Sequence, residues 1–213
     1  MKGINTFTLK LIGLITMVVD HVGAILFPEM IWLRIIGRIS FPIFAYTLTE
    51  GFCHTHDIRK YILRIGILAV LSEVPFDLAF YGKSLYFGRQ NVLFTFCLGL
   101  MMLYLLLQAR GTLTKVLIVV GMFLLSEILL VDYSSMGLAM ILAFYCLRDK
   151  KWQKLAVVAA INVFLMGYLQ VYAVAALLPI ALHNREQGPR WKWFFAIFYP
   201  AHLLTLYLIA LIW

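Results

Sequence analysis

Six ionisable side chains occupy the first eighty residues of a chain that is otherwise strongly apolar. They are Asp20, His21, Arg38, Glu50, Glu73 and Asp77. A charged side chain at the centre of a bilayer costs about 2.5–3.5 kcal/mol on insertion scales. Six such groups in apolar helices therefore predict a polar site inside a membrane protein.

Asp20 and His21 are adjacent in the first apolar stretch. A buried histidine can act as a general base near neutral pH, and a nearby carboxylate strengthens it and selects its tautomer. Neighbouring residues of a helix point about 100° apart, so we expect Asp20 to pair with Arg38 while His21 faces a cavity. The alternative is a polar pair that only holds helices together.

Arg38 lies in the second apolar stretch, four residues before Pro42. Its guanidinium presents five donors and keeps its charge, so it can hold a phosphate, a carboxylate or an internal acid. Pro42 frees a backbone carbonyl and predicts a kink in this helix. A structural ion pair of Arg38 with Asp20 or Glu73 is the alternative.

Glu73 and Asp77 are four residues apart in the third stretch and share one side of a helix. Two close carboxylates in a low dielectric retain a proton between them, so one of the two can serve as an acid. In the alternative interpretation, each carboxylate pairs with Arg38 or Arg89.

Two later polar residues are weaker candidates. Asn91 is a possible substrate contact, although its place at the start of an apolar stretch favours a helix N-cap. His202 lies deep in the last stretch but is isolated in sequence, so we interpret it as a packing histidine.

Glu50 and His54 close the second stretch and share one helix face. The spacing of the Glu, His and Cys residues here fits no usual zinc site, and we expect no metal. The chain then continues with three positive residues, Arg59, Lys60 and Arg64. Together with Glu50 and His54 they predict a basic mouth, a positively charged entrance for an anionic cytoplasmic ligand such as a nucleotide or coenzyme. Ordinary anchoring of a cytoplasmic loop is the alternative.

The whole chain must supply helices to position these residues. Of its 213 residues, 63% are hydrophobic and 13% are charged, about half the charged share of a soluble domain. We therefore predict an all-α, polytopic membrane protein with one transmembrane domain over residues 1–213. Nine spans are predicted, near 8–27, 31–52, 60–80, 91–109, 113–131, 134–148, 153–167, 169–184 and 193–212. One kinked element over 153–184 would reduce the count to eight.

The basic residues orient these spans. With the N-terminus in the cytoplasm, Arg34, Arg38, Lys83 and Arg89 lie outside and the other 14 of the 18 Lys and Arg residues lie inside. The net charge of +8 is therefore a topology signal and a contact with anionic lipid, and we expect no nucleic acid partner. Five of the six buried groups then fall in the outer half of the bilayer, while Glu50 lies near the inner face.

Four segments resemble the TraX family, bacterial membrane proteins named for the conjugal-transfer protein that N-acetylates F-type pilin. They are MVVDHVGAILFP (17–28), LRIIGRISFPIFAYTLTEGFCHT (33–55), KYILRIGILAVLSEVPFDLAF (60–80) and QNVLFTFCLGL (90–100). The resemblance is strong over residues 8–110. It implies a transmembrane acyltransferase of the bacterial inner membrane that takes acetyl groups from cytoplasmic acetyl-CoA.

The resemblance and the residues together assign roles as expectations. His21 is the expected base, assisted by Asp20, and Arg38 neutralises Asp20 or the thioester. Glu73 and Asp77 hold an acceptor ammonium or carry its proton, and the acceptor is a protein, a peptide or a glycan. A proton-coupled transporter that uses the same buried groups and a non-catalytic assembly protein are the alternative functions.

Overall fold

A computed structural model describes residues 3–189 and 191–212, with the backbone alone at residues 192 and 193. The regular structure of this part of the chain is helical, apart from two isolated β-bridges. The α-helices are α1 Thr6–Ile25, α2 Ile31–Gly37, α3 Ser40–His54, α4 Ile58–Tyr81, α5 Val92–Gln108, α6 Thr112–Ile128, α7 Ser134–Cys146, α8 Lys151–Ala160, α9 Leu177–Ala181 and α10 Lys192–Ile212. A π-helical turn, Ile161–Leu165, continues α8, and a 3₁₀-helix, Tyr168–Ala176, leads into α9. The all-helical prediction is thereby confirmed for the described residues.

Three of these helical stretches are long and apolar enough to cross a membrane: Thr6–Ile25, Ile31–His54 and Phe194–Ile212. Shorter apolar helices cover Val92–Gln108, Ser134–Cys146 and Tyr168–Ala181. Helix α4 has 24 residues, enough length for a span, and it carries the buried carboxylates. The count of nine crossings and their orientation stay predictions.

The predicted kink in the second apolar stretch lies between α2 and α3. Pro42 is the third residue of α3, and Arg38 and Ile39 separate the two helices. A proline cannot donate to the carbonyl four residues earlier, and its ring clashes with that carbonyl. For Pro42 this carbonyl belongs to Arg38, so the helix breaks at the residue whose side chain enters the polar cluster.

The helical structure of residues 153–184 is interrupted at Gly167, a break that both the two-span prediction and the single kinked element allow. Gly167 has φ +83°, a left-handed conformation that favours glycine. Across the break, buried Gln170 donates from Nε2 to Asn162 Oδ1 at 3.2 Å. This bond satisfies polar side chains that the irregular backbone brings inside.

Helix α3 is central in the bundle, with ten of its 15 residues buried. Its core residues pack with those of α5 and α7, including Phe41, Ile43, Leu100, Ile141 and Phe144. Because α3 is surrounded by other helices, the polar groups at its two ends reach the two ends of the bundle.

The two ends of the bundle differ in chemistry. One end, which we call the basic end, contains Thr6, Glu50, Arg148 and Arg185. Asp20, Arg34, Tyr86 and Asp132 lie at the opposite, His21 end. The predicted inner positions of Lys2 and Arg190 lie outside the described residues, as does the side chain of Lys192.

Candidate functional site

Asp20 is held between two arginines at the His21 end. Arg34 Nη1 donates to Asp20 Oδ2 at 2.6 Å, and Arg38 Nη2 donates to Asp20 Oδ1. The predicted pairing of Asp20 with Arg38 is confirmed. Arg34 was not predicted to contact Asp20, although its position four residues before Arg38 on the same helix face was an available signal.

Gly37 permits this close approach of α1 and α2. A Cβ atom built on Gly37 would lie 2.1 Å from the Cβ of Asp20. No side chain can occupy that space unless the two helices move apart. The cluster therefore depends on a glycine between its two arginines, and it carries two guanidinium charges against one carboxylate.

His21 faces away from Asp20 and contacts α10. Its Nδ1 lies 2.7 Å from His202 Nε2, and the two rings are nearly parallel, with an interplanar angle of 7°. The edge of Phe80 in α4 packs against the His21 ring at 5.5 Å between centroids. His202, interpreted from its isolation in sequence as a packing histidine, has two hydrogen-bond partners, His21 and the Phe198 carbonyl.

The hydrogen-bond partners of His202 determine which nitrogen of His21 has a free lone pair and can accept a proton. His202 Nδ1 lies 2.8 Å from the carbonyl oxygen of Phe198, which can only accept, so Nδ1 carries the proton. Neutral His202 then accepts at Nε2, and His21 must donate from Nδ1. The Nε2 atom of His21 is therefore the nitrogen with the free lone pair.

The carboxylates of α4 pair with backbone and amide groups rather than with arginines. Glu73 Oε2 accepts from the Asn91 backbone N–H at 3.3 Å and from the Asn91 side chain. Asp77 Oδ2 accepts from the Tyr86 backbone N–H at 2.7 Å. The second oxygens, Glu73 Oε1 and Asp77 Oδ1, and the hydroxyl of Ser72 are buried without a partner among the described residues. Buried polar atoms of this kind usually have a partner, and the two carboxylate oxygens remain able to accept from a donor.

Asn91 caps α5, as its position favoured. Its Oδ1 accepts from the Leu93 backbone N–H at 3.0 Å, and its Nδ2 donates to the Ala69 carbonyl at 2.9 Å and to Glu73. Its side chain is thus fully used in joining α4 to α5. In this arrangement Asn91 positions Glu73.

The turn between α6 and α7 packs against the His21 end of the bundle through Asp132 and Tyr133. Arg89 donates to Asp132 Oδ1 at 2.9 Å, and the Tyr133 ring stacks on Phe41 with centroids 3.7 Å apart. Burial raises the pKa of Asp132, and the nearby positive charges of Arg89 and Arg38 oppose that shift. Arg89 is therefore engaged here and not with Glu73 or Asp77.

A cavity of about 250 Å³ opens at the basic end. It is lined by Glu50, Cys53, His54, Arg148, Asp149 and Arg185. Two of the residues predicted for a basic mouth, Glu50 and His54, line this cavity. Among the described residues, no group of three or more His, Cys, Asp or Glu side chains could hold a metal ion.

The three predicted cations of α4 have other partners. Arg59 Nε donates to the Tyr104 hydroxyl at 2.7 Å, and Lys60 Nζ lies 3.2 Å from Asp57. Arg64 lies over the ring of its neighbour Tyr61, 5.4 Å from the ring centroid. None of the three lines the cavity, and Arg148 and Arg185 supply its positive charge instead.

Comparisons with known proteins agree with the resemblance to the TraX family. The family model described as TraX protein matches residues 6–210. The chain is 27% identical to the probable fimbrial assembly protein FimC, serogroup H1, of Dichelobacter nodosus, over 95% of this chain and 94% of that protein. It is 27% identical to protein TraX of Escherichia coli, over 95% of this chain and 86% of that protein. It is 31% identical to the uncharacterized protein RP591 of Rickettsia prowazekii, over 72% of this chain and 60% of that protein. No solved structure matches.

Proposed function

Because this chain belongs to the TraX family, we propose that it is a multi-pass acyltransferase of the bacterial inner membrane. It transfers an acetyl group from cytoplasmic acetyl-CoA to an amine or hydroxyl of a protein, peptide or glycan acceptor. The basic end faces the cytoplasm, and the His21 end faces outward. The observation that carries the proposal is the hydrogen-bonded His21–His202 pair, which leaves the Nε2 lone pair of His21 free within an apolar bundle.

His21 acts on the acceptor. Its Nε2 removes a proton as the acceptor nitrogen or oxygen attacks the thioester carbonyl. When the tetrahedral intermediate collapses, the C–S bond breaks and the imidazolium returns that proton to the leaving thiolate, which gives CoA and the acetylated acceptor. The proton that the acceptor loses is therefore the one that CoA gains.

The charged side chains around His21 stabilise the charges of the reactants. The Asp20–Arg34–Arg38 cluster has one positive charge in excess, which favours negative charge developing on the thioester oxygen. Glu73 Oε1 and Asp77 Oδ1 lack donors, and an acceptor ammonium supplies donors of the right kind. One of these carboxylates takes the extra proton of the ammonium, so that the neutral amine then reacts at His21. Because Phe80 packs against the His21 ring, it moves when an acceptor enters.

Turnover of labelled acetyl-CoA by the purified protein tests the proposal. We expect release of free CoA or acetylation of the protein itself, and loss of both in His21→Ala. The transporter alternative predicts ion-coupled uptake into proteoliposomes without turnover of acetyl-CoA, and that result would refute the proposal.

A further inference from the structure

Two adjoining cavities share three residues at the basic end. The larger holds about 250 Å³ and the smaller about 100 Å³, and Arg148, Asp149 and Arg185 line both. The smaller one is also lined by Tyr46, Lys151, Lys154, Leu155, Ile180, Ala181 and His183. Pockets that enclose a whole small molecule usually exceed about 300 Å³, so each of these suits one end of a larger ligand.

Two positive side chains converge on a single carbonyl oxygen beside these cavities. Lys154 Nζ lies 3.4 Å from the Arg148 oxygen, and Arg185 Nη2 lies 3.2 Å from the same atom. Lys154 is only 5% exposed, and its ammonium also lies over the Tyr46 ring, 5.0 Å from the ring centroid. Like charges this close repel each other unless an anion lies between or beside them.

The carboxylates present do not balance these cations. Among the described residues, four positive side chains line the two cavities, and the carboxylates in the same linings are Glu50 and Asp149. Asp149 lies 3.8 Å from Arg185 and 3.3 Å from Arg148, and its side chain is 72% exposed. A pair this exposed to water is weak, and Asp149 can turn outward to admit another anion.

We propose that the two cavities form one binding site for a phosphate group, held by Arg148, Lys154 and Arg185. A phosphate dianion matches the surplus of two positive charges, because arginine binds phosphate oxygens in pairs and lysine adds a point charge. The first backbone N–H groups of α8, which begins at Lys151, add a partial positive charge beside the same cavity.

The phosphate can come from either of two ligands. One is the nucleotide end of the acyl-CoA donor, and this assignment rests on the proposed function. The other is the headgroup of an anionic phospholipid at the cytoplasmic face. Either ligand would use the α7–α8 turn and the segment after α9, whereas Arg59, Lys60 and Arg64 keep their partners on α4, beside its start and on α5.

Equilibrium binding to the full-length protein in detergent tests the site. The probes are CoA, pantetheine (which lacks phosphate), phosphatidylglycerol and uncharged diacylglycerol. We expect CoA to bind at least tenfold more tightly than pantetheine, and Lys154→Gln and Arg185→Gln each to remove most of that preference. If the lipid is the ligand, the same variants lose a preference for phosphatidylglycerol over diacylglycerol, and CoA binds no better than pantetheine.

Matched variants separate the site from general charge. Arg110→Gln, which makes the same charge change in the α5–α6 loop away from both cavities, should bind all probes like the wild type. Arg185→Lys, which keeps the charge but not the paired contacts, should retain more of the preference than Arg185→Gln. The proposal is overturned if Lys154→Gln and Arg185→Gln bind every probe as Arg110→Gln does. Binding needs no turnover, so this outcome is distinct from failure of acetyl transfer.

Discussion

The proposed reaction depends on two histidines that are 181 residues apart in sequence and share one hydrogen bond. His21 was predicted as the base from its place in an apolar helix beside Asp20. The residue that selects its tautomer is His202, and no local spacing links the two, so only the packing of α10 against α4 and α1 reveals the pair. Asp20 was expected to assist His21, but its oxygens are occupied by Arg34 and Arg38.

Removal of the acceptor atom on His202 should weaken catalysis. His202→Leu leaves His21 Nδ1–H without a partner and frees the ring to turn, so we expect acetyl transfer to fall about tenfold or more, the value of one hydrogen bond. His202→Gln can still accept through its amide oxygen and should retain more activity than His202→Leu. Equal activities of the two variants, or a pH–rate profile that neither of them changes, would contradict a positioning role.

The charge on Asp20 should matter more to stability than that on Arg34. Asp20→Asn leaves two guanidinium groups without a counter-charge, and breaking a buried pair in this way costs about 3–5 kcal/mol. Arg34→Gln leaves Asp20 paired with Arg38 and should cost less. Melting temperatures in detergent measure both effects, and the account fails here if Arg34→Gln melts at or below the temperature of Asp20→Asn.

At the scale of helices, glycine and proline determine how the polar residues are presented. The kink was predictable from Pro42, because the missing N–H and the ring act on the carbonyl four residues back. The fit of Gly37 against Asp20 was not, because it depends on how closely α2 approaches α1. Helix α4 likewise placed Glu73 and Asp77 on one side, as predicted from their spacing, whereas their backbone and amide partners come from other segments.

A methyl group on Gly37 should separate α1 from α2. Gly37→Ala places a carbon atom against the Cβ of Asp20, and we expect a loss of about 1–3 kcal/mol from overpacking. The control is Gly121→Ala in α6, where a Cβ would meet nothing within 4 Å, and alanine favours the helix by about 1 kcal/mol. Thermal unfolding should show Gly37→Ala less stable and Gly121→Ala equal to or above the wild type. The reverse order would contradict this packing.

At the scale of the whole molecule, the bundle has a basic end and a His21 end, and the sequence predicted this division from its charge distribution. Helical periodicity and hydropathy were sufficient for the segments, because each is a local property. The residues that line the basic cavity were less predictable, since Arg148 and Arg185 come from segments far from Glu50 in sequence. Because they are near Glu50 in sequence, we predicted that the cavity is lined by Arg59, Lys60 and Arg64. These three side chains contact residues on or beside α4 instead.

Accessible cysteines test the orientation of the bundle. Cys53 is exposed at the basic end, and Ser84 is exposed beyond α4 at the His21 end. In a protein whose only cysteine is Cys53, we expect a membrane-impermeant maleimide to label inside-out vesicles and not intact cells. A protein with only Ser84→Cys should show the opposite pattern. Labelling of both variants from one face would contradict the predicted topology.

In the proposed reaction, an acetyl group enters at the basic end and leaves on an acceptor activated by His21. Membrane vesicles from the source bacterium contain the natural acceptor, so incorporation of label from acetyl-CoA into their macromolecules measures this transfer directly. We expect incorporation in inside-out vesicles, little in sealed right-side-out vesicles, and a loss of about 10²–10⁴-fold in His21→Ala membranes with normal amounts of folded protein. Equal incorporation by wild-type and His21→Ala membranes would contradict it.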